Sequence, residues 1–592
     1  MIISITFIMH SVKASITFSL ADLLNAKFSN MRSLSFFCCI AACAAMLSCN
    51  SSSKAPSSEA IQALNLKKGS IIWCGPSGGN FGSVDFMVSA SPEVKKDFDQ
   101  AIAMLHSFEY DEAEKAFAAI IDKDPSCAMA YWGVAMSNFH PLWTPPNEAE
   151  LKKGSKAVEA ARSISDKTKR ETEYIEAIGA FYDGHDKLDH KTRCLNYEKA
   201  MEKMYATYPA DKEAAIFYAL ALNTTASPTD KTYANQKKAG DILNKIYGGE
   251  PNHPGIVHYI IHNYDNPDLA ELALPAARKY AAVAPASAHA QHMPSHIFTR
   301  LGLWDEAVKS NLASVNSAKC YAESAGIKGT WDEELHGMDY LVYAYLQQGD
   351  NERAKQQWDY LRSIQKVSDN NFKVAYAYAA IPSRYVLENR QWKEAAQLEL
   401  HPASFPWDKF IWQKGIVHFA RLMGMAHTNN LAGANNELNT LKNIRDKLLE
   451  QKDQYKADQV EVQIKTGEAW IALKKGDQAR ALELMQQAAA LEDATEKHPV
   501  TPGEVLPARE MLADMYLALQ QPDKALETYE QDMKRHPNRF NGVYGAGLAA
   551  EKSGNLQKAE QYYTQLRTIG TGKGRPELSA AQKFLGGAQA KR

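Results

Sequence analysis

The chain has 592 residues, 45% of them hydrophobic and 23% charged, with a formal net charge of −2. That balance is ordinary for a folded protein, and no basic patch stands out, which excludes a nucleic-acid footprint. No two of the eight cysteines form a CxxC pair, so zinc-ribbon and thioredoxin-type motifs are excluded as well.

Residues 1–30 form an upstream extension to which no role is assigned. At Met31 begins "MRSLSFFCCIAACAAMLSCN": basic Arg32, an apolar run from Leu34 to Leu47, then Ser48 and Cys49. A charged start, an apolar stretch and small residues before a cut make a secretory signal. The run of about 14 residues is short for the ~20 that a membrane span needs. The segment 31–49 resembles a bacterial lipoprotein signal, with Met46 where leucine is usual. The resemblance implies a lipidated Cys49, a lipid anchor in the membrane, and a place in the cell envelope, at the outer membrane or its periplasmic face. Residues 50–69, opening "NSSSKAPSSEA", read as a flexible tether. Residues 70–91 read as a short N-terminal cap segment with strand signals, and "GPSGGNFG" within it lacks the GK[ST] of a phosphate loop. Export permits a disulfide, for example between Cys74 and Cys127.

From about residue 92 the chain repeats. "YDEAEKAF" (110–117), "WDEAVKSN" (304–311), "PDKALETY" (522–529) and "LQKAEQYY" (556–563) share an acidic or amide helix start followed by alanine. Ala273 and Ala307 are 34 residues apart, as are Ala525 and Ala559, and a proline follows twelve residues after Ala113, Ala273 and Ala525. Looser copies surround Ala354 and Ala481. This pattern resembles the tetratricopeptide repeat family, whose unit is a 34-residue helix–turn–helix. The resemblance implies an all-α fold over 92–592, a right-handed superhelix (an α-solenoid). The first helix of each pair would line a concave groove, and "RPELSAAQKFLGG" would supply a C-terminal capping helix. It also implies a peptide or protein partner held in that groove.

Six of the 17 histidines lie between His253 and His296, where an even spread would give about one. "HYIIH" places His258 and His262 at i, i+4, on one helix face. "HAQHMPSHIF" holds His289, His292 and His296, and the pairs His258/His292 and His262/His296 are each 34 residues apart. In repeat register both pairs fall on first helices and face the groove. His289, Asp265, His336 and Asp339 take groove-facing places too. Neutral imidazoles with a carboxylate are ligands for zinc, iron or copper. The metal reading therefore rests on His258, His262, His292 and His296 meeting at one point, with Asp265, His289, His336 and Asp339 as additional ligands or, for the aspartates, as groups orienting the rings. Pro294 starts a helix near Met293 and would leave His289 and His292 on a connection. The alternatives are a peptide-binding groove and a purely structural cluster. HExxH, GxSxG and paired carboxylates are absent, so the sequence names no enzyme class. "FHPLWTPPNEAE" (139–150), with Trp143, and "HPVTPGEVLPARE" (498–510), with Arg509 and Glu510, read as irregular connections between repeats.

Overall fold

The structure, a computed structural model, describes residues 2–9, 12–19, 55–75, 80–142, 145–227 and 229–589. It divides into two units, Met1–Lys54 and Ala55–Arg592. The first unit holds an antiparallel hairpin, Ile2–Met9 against Val12–Ser19, with Ile2 opposite Ser19 and Met9 opposite Val12. Both strands are rich in the β-branched and phenylalanine side chains that suit a pleated ribbon. The signal-type segment 31–49, Cys49 included, lies outside the described residues, as does Trp143.

The second unit is helical from Ser58–Gln62 to Pro576–Gln589. Its described residues contain one isolated bridge, Thr330 to Val367, and no strand. Helices pair as antiparallel hairpins: Pro92–His106 with Tyr110–Lys123, Pro254–Tyr264 with Ala270–Val283, Asp332–Gln347 with Asn351–Ser363, Phe540–Lys552 with Leu556–Ile569. The repeat alanines Ala113, Ala273, Ala307, Ala354, Ala481, Ala525 and Ala559 are all fully buried. A larger side chain there would hold the two helices of a hairpin apart, so the alanine period is a packing period. No helix of the described residues is long and apolar enough to cross a membrane.

Three segments depart from the sequence reading. The tether is partly ordered: Ser57 caps helix Ser58–Gln62, and Leu64 is buried. The described residues of the 70–91 segment form no strand and do not cap the end of the stack. They form a strap laid along it, with Phe81 and Phe86 buried. The Ile72 amide donates to Glu112 at 2.9 Å and Ser83 to the Asn252 carbonyl at 3.0 Å, while Ala286 donates to the Asn80 carbonyl at 3.2 Å. The strap carries Cys74 past the first hairpin to helix Trp304–Ser324, where it is joined to Cys320. Cys127 is a free, buried thiol at the start of helix Ala128–Ser137, so the Cys74–Cys127 pairing is corrected to Cys74–Cys320.

The third departure is residues 495–507, which run along the inner, first-helix face of the stack. Lys497 reaches Asp265 at 3.1 Å, the His498 ring stacks on Phe372 at 4.3 Å, and the Gly503 carbonyl accepts from Arg384 at 2.7 Å. The closing repeats lean on the middle of the stack. Trp304 Nε1–H donates to the Asn538 carbonyl at 2.7 Å, and buried Arg539 bridges Glu388 and Glu510 at 2.6 and 2.9 Å. Glu510 is thus an internal partner, and Arg509 pairs with Asp493.

Candidate metal centre

The histidines sort into two triads rather than one tetrad. In the first, His258 Nε2 lies 2.9 Å from His262 Nε2 and 3.1 Å from His289 Nε2. In the second, His292 Nε2 lies 3.1 Å from His296 Nε2, and the His336 ring is 4.2 Å from that of His292. Within each triad one nitrogen per ring lies within 4.8 Å of the other two. Nitrogens 2.9–3.1 Å apart subtend roughly 90–100° at an ion ~2.0–2.1 Å from each. The expectation that His258, His262, His292 and His296 share one point is corrected: each i, i+4 pair recruits its third ring from the next repeat.

Pro294 does not separate the second pair. Helices Ala288–His292 and Pro294–Arg300 flank Met293, whose φ of −53° and ψ of −36° keep the chain helical. Proline here opens the second piece, where its missing N–H costs nothing.

Hydrogen bonds behind the rings fix their tautomers. His258 Nδ1–H donates to the His106 carbonyl at 2.6 Å. His292 Nδ1–H donates to Asn311 Oδ1 at 2.7 Å; that oxygen is the acceptor because the Asn311 amide nitrogen donates to the Ala307 carbonyl at 2.8 Å. His296 Nδ1–H donates to Asp265 Oδ2 at 2.9 Å. With Nδ1 carrying the proton, Nε2 of each of these three neutral rings is a lone pair aimed into its triad, and the Tyr340 hydroxyl lies 3.3 Å from His296 Nε2. Asp265 is therefore an orienting carboxylate and not a ligand. It is held in turn by Arg300 at 2.9 Å and Lys497 at 3.1 Å. Burial works to raise Asp265, but Lys497, then Arg300 and the His296 bond keep it well below the usual carboxylate range. Asp339 has neither role: it pairs with Arg384 at 2.5 Å, and burial holds it up at about 6.

The surroundings keep the rings neutral. Burial is the largest cause of the lowering at His258, His262, His289, His292 and His336, with neighbouring histidines adding to it and Lys373 contributing at His289, His292 and His336. A third cluster, His106, Glu213 and His253, is bonded within itself, although His253 Nδ1 is buried with no hydrogen-bond partner among the described residues. Both rings meet the Glu213 carboxylate, at 2.9 and 2.8 Å, and Tyr259 OH reaches His106 Nδ1 at 2.9 Å. Its part is to hold the His106 backbone, whose carbonyl orients His258.

Phe108 covers the first triad. Its ring centroid is 4.5 Å from His258, 5.7 Å from His262 and 5.6 Å from His289. Its φ is +59°, at a hairpin turn that uses glycine in other repeats, as at Gly302, Gly349, Gly476 and Gly554. A bulky left-handed residue is uncommon and costs about 1–2 kcal/mol. The sequence reading missed Phe108. The signal that would have found it is a phenylalanine at a turn position that other repeats fill with glycine or with polar residues such as Arg390, Asn429 and Gln520.

Both triads border one cavity of about 420 Å³. His289 of the first triad and His296 and His336 of the second line it, with Phe108, Tyr110, Trp331 and Phe372 among its walls. Glu109 faces it too, raised by burial to about 8. Lys373 on the same wall is paired with Asp332 and Glu333.

The tetratricopeptide repeat model matches residues 97–140 and 510–573. Among curated protein sequences none matches this chain. Similar solved structures include the human IFIT1 dimer with m7Gppp-AAAA, at 11% identity over 79% of this chain and 94% of that one, with a TM-score of 0.33. The APC/C hetero-tetramer Cut9–Hcn1 is 11% identical over 84% and 97% of the two chains, with a TM-score of 0.25. Naa15/Naa10 bound to HypK-THB is 13% identical over 80% and 70%, with a TM-score of 0.22. These identities and scores are too low to carry any ligand across. The chain resembles tetratricopeptide repeat proteins, an all-α scaffold of the protein-binding kind.

Proposed function

We propose that this chain is an exported, lipid-tethered tetratricopeptide-type scaffold whose interior holds a transition-metal centre. The observation that carries it is the pair His292 and His296. Both Nδ1 protons are donated away, to Asn311 and Asp265, so the two Nε2 lone pairs face each other at 3.1 Å, with the Tyr340 hydroxyl 3.3 Å from His296 Nε2. Two lone pairs cannot hydrogen-bond to each other, and a cation held by both rings would resolve the contact. A donor set of imidazoles suits zinc, copper or iron and not magnesium or calcium. Export is supported by the signal pattern before Cys49 and by the Cys74–Cys320 disulfide, which belongs to an oxidising compartment. The cavity volume of about 420 Å³ is that of a small-molecule site. Residues 495–507 occupy the inner face that an extended peptide would need, so within the scaffold reading a partner would approach the histidines through this cavity.

Elemental analysis of protein purified without a nickel column tests the reading. Stoichiometric metal is expected, and its loss in the His258→Ala/His292→Ala double variant. Metal-free protein whose melting ignores chelators would overturn it and leave a structural cluster, whose single alanine variants lower the melting temperature alone.

A further inference from the structure

The two triads are copies of one another. His258 and His262 precede His292 and His296 by 34 residues each, and His289 and His336 each stand 18 residues before a repeat alanine, Ala307 and Ala354. They are also neighbours: the His262 ring of one is 6.5 Å from the His296 ring of the other. One cavity touches both.

Neither set of three includes a carboxylate, so the ligands themselves would leave the charge of two divalent ions uncompensated, beside part-buried Lys373 and buried Lys497. Glu109 lines the cavity, raised by burial to about 8, and the other nearby acids are committed elsewhere. Asp265 is held by Arg300, Lys497 and His296, Asp332 and Glu333 by Lys373, and Asp339 by Arg384. Three protein nitrogens per ion also leave a coordination position open, as in metal sites that bind an exogenous ligand. An anion entering from the cavity would supply negative charge beyond what Glu109 can give, and the aromatic faces at Phe108, Tyr110, Trp331 and Phe372 suit a flat molecule.

Building on the metal reading above, we propose that the two triads form one dinuclear centre whose ions share an anionic oxygen ligand. The cavity admits a small planar molecule that carries this oxygen, such as an aromatic carboxylate or phenolate. His289 and His336, each supplied by the repeat after its pair, complete the two halves.

The test loads metal-free full-length protein with copper(II), counts copper per chain, and records electron paramagnetic resonance with and without benzoate. Two coppers are expected, with a signal far below that of two isolated spins, because the shared oxygen couples them. His336→Ala and, separately, His289→Ala should each keep one copper with a full mononuclear signal. Benzoate should shift the wild-type spectrum, with affinity about three- to tenfold weaker in Trp331→Ala. Two coppers giving two full, independent signals would overturn the dinuclear centre and leave the metal reading standing. A spectrum indifferent to benzoate would overturn the assigned ligand class. Failure to bind any copper or zinc would remove the metal reading and this inference with it.

Discussion

Replacing Asn311 by alanine removes the acceptor behind His292 while leaving every imidazole in place. Asn311 is fully buried and takes the His292 Nδ1 proton at 2.7 Å. Without it that N–H is a buried donor lacking a partner, a cost of about 1–3 kcal/mol to the folded apo-protein. The ring can relieve the cost by moving its proton to Nε2, the nitrogen that faces His296, and the lone pair offered to a metal is then lost. Outer-shell losses of this kind cost roughly 10–100-fold in affinity, about 1.4–2.8 kcal/mol. Competition of the apo-protein against a zinc-binding dye reads the two sites, and melting in chelator reads the apo stability. One site should weaken by that factor. The other should not change, because His258 is oriented by the His106 carbonyl and not by Asn311. Asn311→Asp, which keeps an acceptor, should bind at least as tightly as wild type. Equal affinity in Asn311→Ala and wild type, or an equal loss in Asn311→Asp, would refute the tautomer argument.

Phe108→Gly should remove about 1–2 kcal/mol of left-handed backbone strain yet uncover the first triad, so a chelator strips one metal faster in stopped-flow; unchanged rates would show that Phe108 does not shield the site. A Cβ on Gly255 would stand 2.7 Å from His106 Nδ1, so Gly255→Ala should cost about 1–3 kcal/mol by overpacking and weaken the first triad through the His106 carbonyl, read by melting and dye competition. His427 stacks on Trp392 at 3.9 Å, and burial, then Lys474 and Arg390, lower it to about 3. The unfolded chain binds this proton first, near pH ~6.5, so the contribution is complete above that pH and fades toward pH 3, by a few kcal/mol on the order of the shift. His427→Phe should flatten that slope in denaturant titrations between pH 7 and 4. Cys320→Ser should lower stability by about 2–5 kcal/mol and abolish the effect of reductant on the melting temperature.

The sequence displayed the frame of the site but not its grouping. Ala273 and Ala307, 34 residues apart, set the register that brings His258, His262, His292 and His296 inward. Register equivalence, however, says which residues play the same part, not which ones touch. Packed helices sit ~8–10 Å apart, within reach of an imidazole from the next repeat, but equivalent places are offset along the stack and are not the ones that meet. Helical side chains lean toward the N-terminus, so the ring one turn ahead of the next pair reaches back: His289 to His258, His336 to His292. The proline-rich stretch at 498–510 was legible as irregular, but nothing local to it tells that Lys497 ends beside Asp265, 232 residues away. The same holds for Cys74 and Cys320, separated by 246 residues and joined only because the strap runs along the stack.

The next repeat shows why the array stops at two triads. Asp339 stands 15 residues before Ala354, the place that His258 and His292 take before Ala273 and Ala307, and Tyr343 stands where His262 and His296 would be. Asp339 takes Arg384, which also donates to the Gly503 carbonyl, and Tyr343 OH accepts from Arg539 at 3.0 Å. These two inward places, held by histidines in two repeats, serve in the third to pin the inner segment and the closing repeats. A histidine pair there would lose both anchors and leave Arg384 and Arg539 buried without those partners, a change that costs about 3–5 kcal/mol where a buried pair is broken. Asp339→His/Tyr343→His should therefore unfold at lower denaturant without adding a third metal. A third equivalent of bound copper in that variant would mean that ring placement alone, and not the orienting groups behind the rings, makes the centre.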